Sequence, residues 1–223
     1  MSNKHHPDTL EKEFELERMI LFSDAVFAIA ITLLVIDIKW PELPESLAGL
    51  DKLHIMKPTI FSFFGFALSF FFIGRAWSIH LRLFRLLRKY DQGLINLNLF
   101  FLFFIVIFPF AASGISGHVR GGFMLPVFFY LVNLSLVTIM HYVLCWYVLY
   151  KKPGLVVEGE PAEKKYLYVR GKTVAITLTG VTIIAGLVFL LFPDHPEYVA
   201  YCCAVSGIVV RIVTRKINKL KPA

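Results

Sequence analysis

Six stretches of this chain are apolar for close to the length that crosses a bilayer: residues 20–38, 58–80, 94–112, 123–150, 173–192 and 198–213. About 20 apolar residues in a helix cover the hydrocarbon core of a membrane. In lipid every backbone polar group has to be bonded within the protein, which severely limits the folds such runs can enter. The expected fold class is therefore an all-α polytopic membrane protein with six transmembrane helices, forming one domain over residues 1–223. The sixth run is near the lower limit for a span, and the fourth is long enough to tilt or to end in a soluble turn. Composition agrees: 57% of residues are hydrophobic and 17% charged, against about 25% charged in soluble domains.

The basic residues set an orientation. With both termini inside, 18 of the 23 Lys and Arg fall on inner segments, among them Arg82, Arg85, Arg88 and Lys89 after the second run and Lys151, Lys152, Lys164 and Lys165 after the fourth. Lys39, Lys52, Lys57 and Arg120 remain outside, and Arg75 lies near the inner end of the second run. Cytoplasmic loops carry such an excess, so both termini are expected in the cytoplasm of a multi-pass protein of a bacterial or archaeal cell membrane. The net charge of +7 is accounted for by this punctuation of spans, and no nucleic-acid partner is expected. Cys145, Cys202 and Cys203 all fall inside expected spans, so no disulfide framework is needed. No cleavable signal peptide is visible; the acidic stretch Glu11–Glu17 reads as a helical lead-in. Proline punctuates the outer loops around residues 40–46 and 192–197, and the stretch 153–165 is too polar to be a domain.

The first run opens on R18-M-I-L-F-S-D24, and charged residues that enter a membrane helix are functional candidates by default. At about 100° per residue, Phe22, Ala25, Leu33 and Ile36 lie within about 40° of Ile29, and Thr32 is about 60° away on the flank. Ser23 and Asp24 point away from that row by roughly 120° and 140°. The polar pair thus belongs to a different surface from the apolar row. Asp24 lies at about the depth of Trp77 and His80 at the end of the second run and of Asn98 at the start of the third. In lipid these polar groups have to satisfy one another. Two readings stand side by side: a network of Ser23, Asp24, Trp77, His80 and Asn98 that locks three helices together, or one that handles protons or ions. Arg18 is poorly placed for Asp24 and is expected to reach the inner interface or a neighbouring chain.

The first-helix sequence from Arg18 to Ile38, with S69-F-F-F-I-G-R-A-W-S-I-H80 more loosely in the second, resembles the signature of the transmembrane protein 175 potassium channels. No second copy of R-x-x-x-F-S-D is present, so the resemblance is to the single-repeat prokaryotic members. It implies a homotetramer whose first helices line the pore, with K+ as the permeant ion and no cofactor or metal. It also implies a constriction of large aliphatic side chains at Ile29, with Thr32, Leu33 and Ile36 as further pore-facing positions. The motif residues Arg18, Phe22, Ser23 and Asp24 fall to the first helix of each copy, and Asp37, with Glu42, to the outer mouth, where repetition would raise the local cation concentration. No T-V-G-Y-G filter is present, so a carbonyl cage of the usual kind is not expected.

The alternatives are a secondary transporter, which would use broken helices and internal repeats, and a proton-conducting channel using Asp24 and His80. The middle of the first run, A-I-A-I-T-L-L-V, has no break, and Pro109 and Pro126 fall near outer ends. No G-x-S-x-G or H-E-x-x-H sequence occurs, so no enzyme is expected.

Overall fold

Apolar segments with no water to bond their backbone close their own hydrogen bonds, and in the computed structural model these become helices. Residues 7–36, 38–41, 49–118, 124–195 and 197–218 are described. They form α1 (Pro7–Leu33), α2 (Gly49–Phe84), α3 (Gln92–His118), α4 (Leu125–Trp146), α5 (Pro161–Leu191) and α6 (Glu197–Asn218). A π-helical turn (Tyr147–Lys151) extends α4, and a single 3-10 turn (Pro153–Leu155) follows it. By length and composition, four segments of the described residues suffice to cross a membrane: Ile55–Phe84, Gln92–Gly114, Leu125–Lys151 and Pro161–Leu191. The six spans expected from sequence are thus four on this measure. In α1 the apolar part is preceded by Glu15, Glu17 and Arg18, and α6 carries Arg211 and Arg215.

The first apolar run also ends its helix earlier than its apolarity does. Regular α-helix stops at Leu33, and tighter bonds take over, from Ile36 N–H to the Leu33 carbonyl (3.2 Å) and from Ile38 N–H to the Val35 carbonyl (3.1 Å). The β-branched residues Val35, Ile36 and Ile38 are weaker helix formers than the alanines and leucines before them. Pro109 lies inside α3 without ending it, so neither α1 nor α3 is a broken helix in the sense a carrier uses.

α3 is the hub. It packs against α1, α2 and α4, while α5 lies on α4 and α6 on α5. Phe101, Leu102, Ile105 and Phe108 of α3 are buried to 2% exposure or less, together with Phe27 of α1, Ile73 of α2 and Leu144 of α4. Between helices in lipid, close packing of this kind and polar contacts replace the hydrophobic drive that water supplies.

The end of the bundle that holds the basic loops is tied by polar contacts. Arg82 of α2 forks onto Glu163 of α5, with Nε to Oε1 at 2.8 Å and Nη2 to Oε2 at 2.6 Å. The Leu155 carbonyl accepts from the N–H groups of Arg88 (2.8 Å) and Lys89 (3.1 Å), and Val157 N–H donates to the Leu86 carbonyl (2.9 Å). Asp91 caps α3 by accepting from Leu94 N–H at 2.8 Å, and its other oxygen accepts the Tyr147 hydroxyl at 2.8 Å. Gly93 permits this approach, since a Cβ there would collide with the Tyr147 hydroxyl.

Candidate functional site

The sequence of α1 divides it into two faces, and the structure buries one and leaves the other open. Ser23, Phe27, Ala30 and Leu34 recur every three to four residues and are buried against the bundle. Phe22, Ala25, Ile29, Thr32, Leu33 and Ile36 are exposed on the other side, Ile29 at 58% and Ile36 at 65%. The row drawn from the helical angle is thus the face that the protomer itself does not cover. Thr32 sits within it, its hydroxyl donating to the Ile29 carbonyl at 2.9 Å. That bond uses the proton and leaves lone pairs on the hydroxyl oxygen for water or a cation. Asp37 and Glu42, expected at the outer mouth, lie outside the described residues.

Behind this face, the polar residues of the motif hold three helices together. Trp77 Nε1 on α2 donates to Asp24 Oδ1 on α1 at 2.8 Å. Asn98 Nδ2 on α3 donates to Ser23 Oγ at 2.9 Å, and Ser23 Oγ in turn donates to the Met19 carbonyl at 2.9 Å. Ser23 and Asn98 are 2% and 1% exposed, so this second bond lies away from competing water. Adjacent residues of one helix therefore engage two different neighbours, which fixes the rotation of α1 about its own axis. With the rotation fixed, the Ile29 row has to face outward.

His80 joins the cluster differently. Its ring lies among Phe27, Phe84 and Phe101, with centroids 5.6, 4.0 and 5.1 Å away. Neither ring nitrogen has a hydrogen-bond partner among the described residues, and Asn98 Oδ1 also lacks one. Of the three donors that sequence places at the depth of Asp24, the indole reaches it, the amide goes to Ser23, and the imidazole is held by ring packing. Arg18 is exposed on the outward side of α1.

A second polar feature is not apparent from the motif. Between α2, α4 and α5 a cavity of about 80 Å³ is bordered by Arg75, His141 and Arg170 as well as by apolar side chains. In sequence these two arginines stand out only as basic residues near span ends; their meeting depends on the packing of α2 against the bundle. Among the described residues no group of His, Cys, Asp and Glu is placed to hold a metal ion. Cys145 is a buried free thiol, its Sγ 3.8 Å from His141 Nδ1.

Comparison with known proteins falls on the same helices. Residues 18–109, from the motif arginine to the proline of α3, match the family model described as the endosomal/lysosomal potassium channel TMEM175. A potassium channel of Streptomyces collinus is 35% identical over 106 residues, covering 48% of this chain and 50% of that protein. One from a Chryseobacterium species is 33% identical over 99 residues, 44% of this chain and 48% of the relative. The chain thus spans about half the length of the curated relatives it matches. The crystal structure of a lysosomal potassium-selective channel TMEM175 homologue from Chamaesiphon minutus superposes with a TM-score of 0.68 at 21% identity, covering 92% of this chain and 98% of that one. That likeness extends the shared fold over α4, α5 and α6, beyond the part matched in sequence.

Proposed function

We propose, from the match of residues 18–109 to the TMEM175 family model, that this chain is a member of that family and the protomer of a potassium-selective channel whose pore is walled by the outward face of α1. The relatives that match just under half of the chain are potassium channels. The observation that carries the pore reading is the open row Phe22, Ile29, Leu33 and Ile36 on a helix whose rotation Trp77 and Asn98 hold. One helix cannot enclose a path for an ion, so the reading needs several copies around an axis, four by resemblance to the single-repeat members.

In that assembly Ile29 forms the constriction, with Thr32, Leu33 and Ile36 as further pore-facing positions. Large aliphatic side chains at a narrow point exclude water, and an ion that cannot keep or replace its shell does not pass. A slight widening admits a partly dehydrated cation, and potassium gives up its water at lower cost than sodium. The free lone pairs of Thr32, one short step along the helix from Ile29, offer oxygen to the ion just where its shell is thinnest. Asp24 lies behind the wall and acts by holding it. The unbroken α1 and the continuous passage of α3 through Pro109 support a channel over a carrier with broken helices. The cell membrane of a bacterium or archaeon is the proposed location, with the basic loops in the cytoplasm.

The purified protein in potassium-loaded liposomes tests this reading. Passive, non-saturating dissipation of a potassium gradient by particles of about four protomers in light scattering is expected, and a monomer that supports flux would refute it.

A further inference from the structure

We infer that the cytoplasmic end of α1 is an interface with a second copy of this chain, in which Arg18 of one copy pairs with Glu15 of the next. The inference rests on the reading of α1 as a pore wall and adds what joins that wall at its inner mouth. α1 begins at Pro7, whereas its apolar run begins only at residue 20. At 1.5 Å per residue, Phe14 lies about 9 Å beyond the start of that run. Phe14 is nevertheless 61% exposed, an aromatic ring that its own protomer leaves largely uncovered outside the apolar segment. Glu15 and Arg18 are exposed beside it. They stand three residues apart, a spacing that allows a pair within one helix, yet neither has an ion pair or side-chain hydrogen bond among the described residues.

The partner is identified by the pattern of the uncovered face. Phe14, Arg18, Leu21, Ala25, Ala28 and Thr32 recur at alternating steps of four and three residues, and all are exposed. That spacing is the seam along which two helices pack side by side. Small residues such as Ala25, Ala28 and Thr32 let helices approach closely in lipid. The seam lies about 20–100° to one side of Ile29, and Glu15 about 40° to the other. In a ring of identical copies, one side of each helix meets the opposite side of the next. The seam that carries Arg18 is thereby brought against the edge that carries Glu15. The seam runs without a break from the middle of the apolar run into the lead-in, so the same contact continues past the membrane and covers Phe14. Arg18 lies on the helical face of Ile29, and an uncompensated ring of guanidinium groups at that mouth would repel a cation. A carboxylate from the neighbouring copy cancels each one.

The test uses the full chain with two affinity tags, expressed singly or together, and counts protomers per particle by native mass spectrometry. Glu15→Arg copies carry only positive charge at these two positions, and Arg18→Glu copies only negative, so neither can form the pair within its own helix or with its own kind. Each variant alone should lower the oligomeric fraction roughly fivefold, the scale of exposed ion pairs. Expressed together, they should recover wild-type assembly in particles that hold both tags. Glu15→Gln, which removes charge with little change of shape, should abolish the weakening of assembly that wild type shows between about 0.1 and 1 M salt. Either charge variant assembling alone as wild type does, or a salt response unchanged in Glu15→Gln, would overturn the inference. So would a mixture that stays apart, which would leave Arg18 to the lipid headgroups. If wild type is oligomeric and passes potassium while the mixture stays apart, the Glu15–Arg18 contact fails alone; a monomeric wild type overturns the pore reading with it.

Discussion

Replacing Ser23 by alanine should destabilise the bundle more than replacing both Ser23 and its partner Asn98. In Ser23→Ala the Asn98 amide loses its acceptor, and its Oδ1 is already without a partner. Asn98, at 1% exposure, would then be a buried amide with neither end bonded to another side chain. Leaving a buried polar group unpaired costs about 1–3 kcal/mol. Contacts between membrane helices average nearer about 0.6 kcal/mol because the separated helices find other partners, so about 1–2 kcal/mol is expected here. Asn98→Leu removes the amide at similar volume, and Ser23 keeps its bond to the Met19 carbonyl, so that variant should stay within about 1 kcal/mol of wild type. The double variant Ser23→Ala, Asn98→Leu strands nothing and should recover about 1 kcal/mol relative to Ser23→Ala alone. Unfolding of the purified protein in mixed micelles of increasing SDS content measures the cycle. Strictly additive costs would refute the claim that this bond locks α1 to α3.

Two further outcomes follow from neighbouring contacts. His80→Leu removes two unbonded ring nitrogens from a pocket of phenylalanines and should leave stability within about 1 kcal/mol of wild type; proton flux that disappears in this variant, measured with a pH-sensitive dye in liposomes, would instead make His80 a relay. Gly93→Ala drives a methyl into the Tyr147 hydroxyl and should break its bond to Asp91, lowering stability in the same micelle titration by about 1–3 kcal/mol; an unchanged midpoint would show that Tyr147 can step aside freely.

The apolar runs were enough to place the helices, because length and hydropathy decide what can lie in lipid. Helical angle was enough to separate Ile29 and Leu33 from Ser23, since the two faces of α1 are set by local geometry alone. Matching depth brought Asp24 together with Trp77, because both lie near the same end of consecutive helices. Depth could not distinguish bonded from unbonded partners: His80 lies at the same level, yet its ring is turned among aromatic side chains, a matter of helix rotation that spacing does not encode. The end of α1 at Leu33 was hidden by apolarity, which continues through Val35 and Ile36 while the backbone tightens into turns. Arg75 and Arg170 sit on helices far apart in sequence, and nothing in either local pattern announces that they meet.

The central claim, that the open face of α1 is the wall of a potassium path, is tested most directly at Ile29 under bi-ionic conditions. Ile29→Asn places an amide at the constriction of every copy, which should wet it and remove the dewetting barrier. Conductance should rise, and the reversal potentials for potassium against sodium and caesium should move toward zero. Should Ile29→Asn channels instead conduct with wild-type reversal potentials, Ile29 would be a lipid-facing or packing residue and the constriction would lie elsewhere.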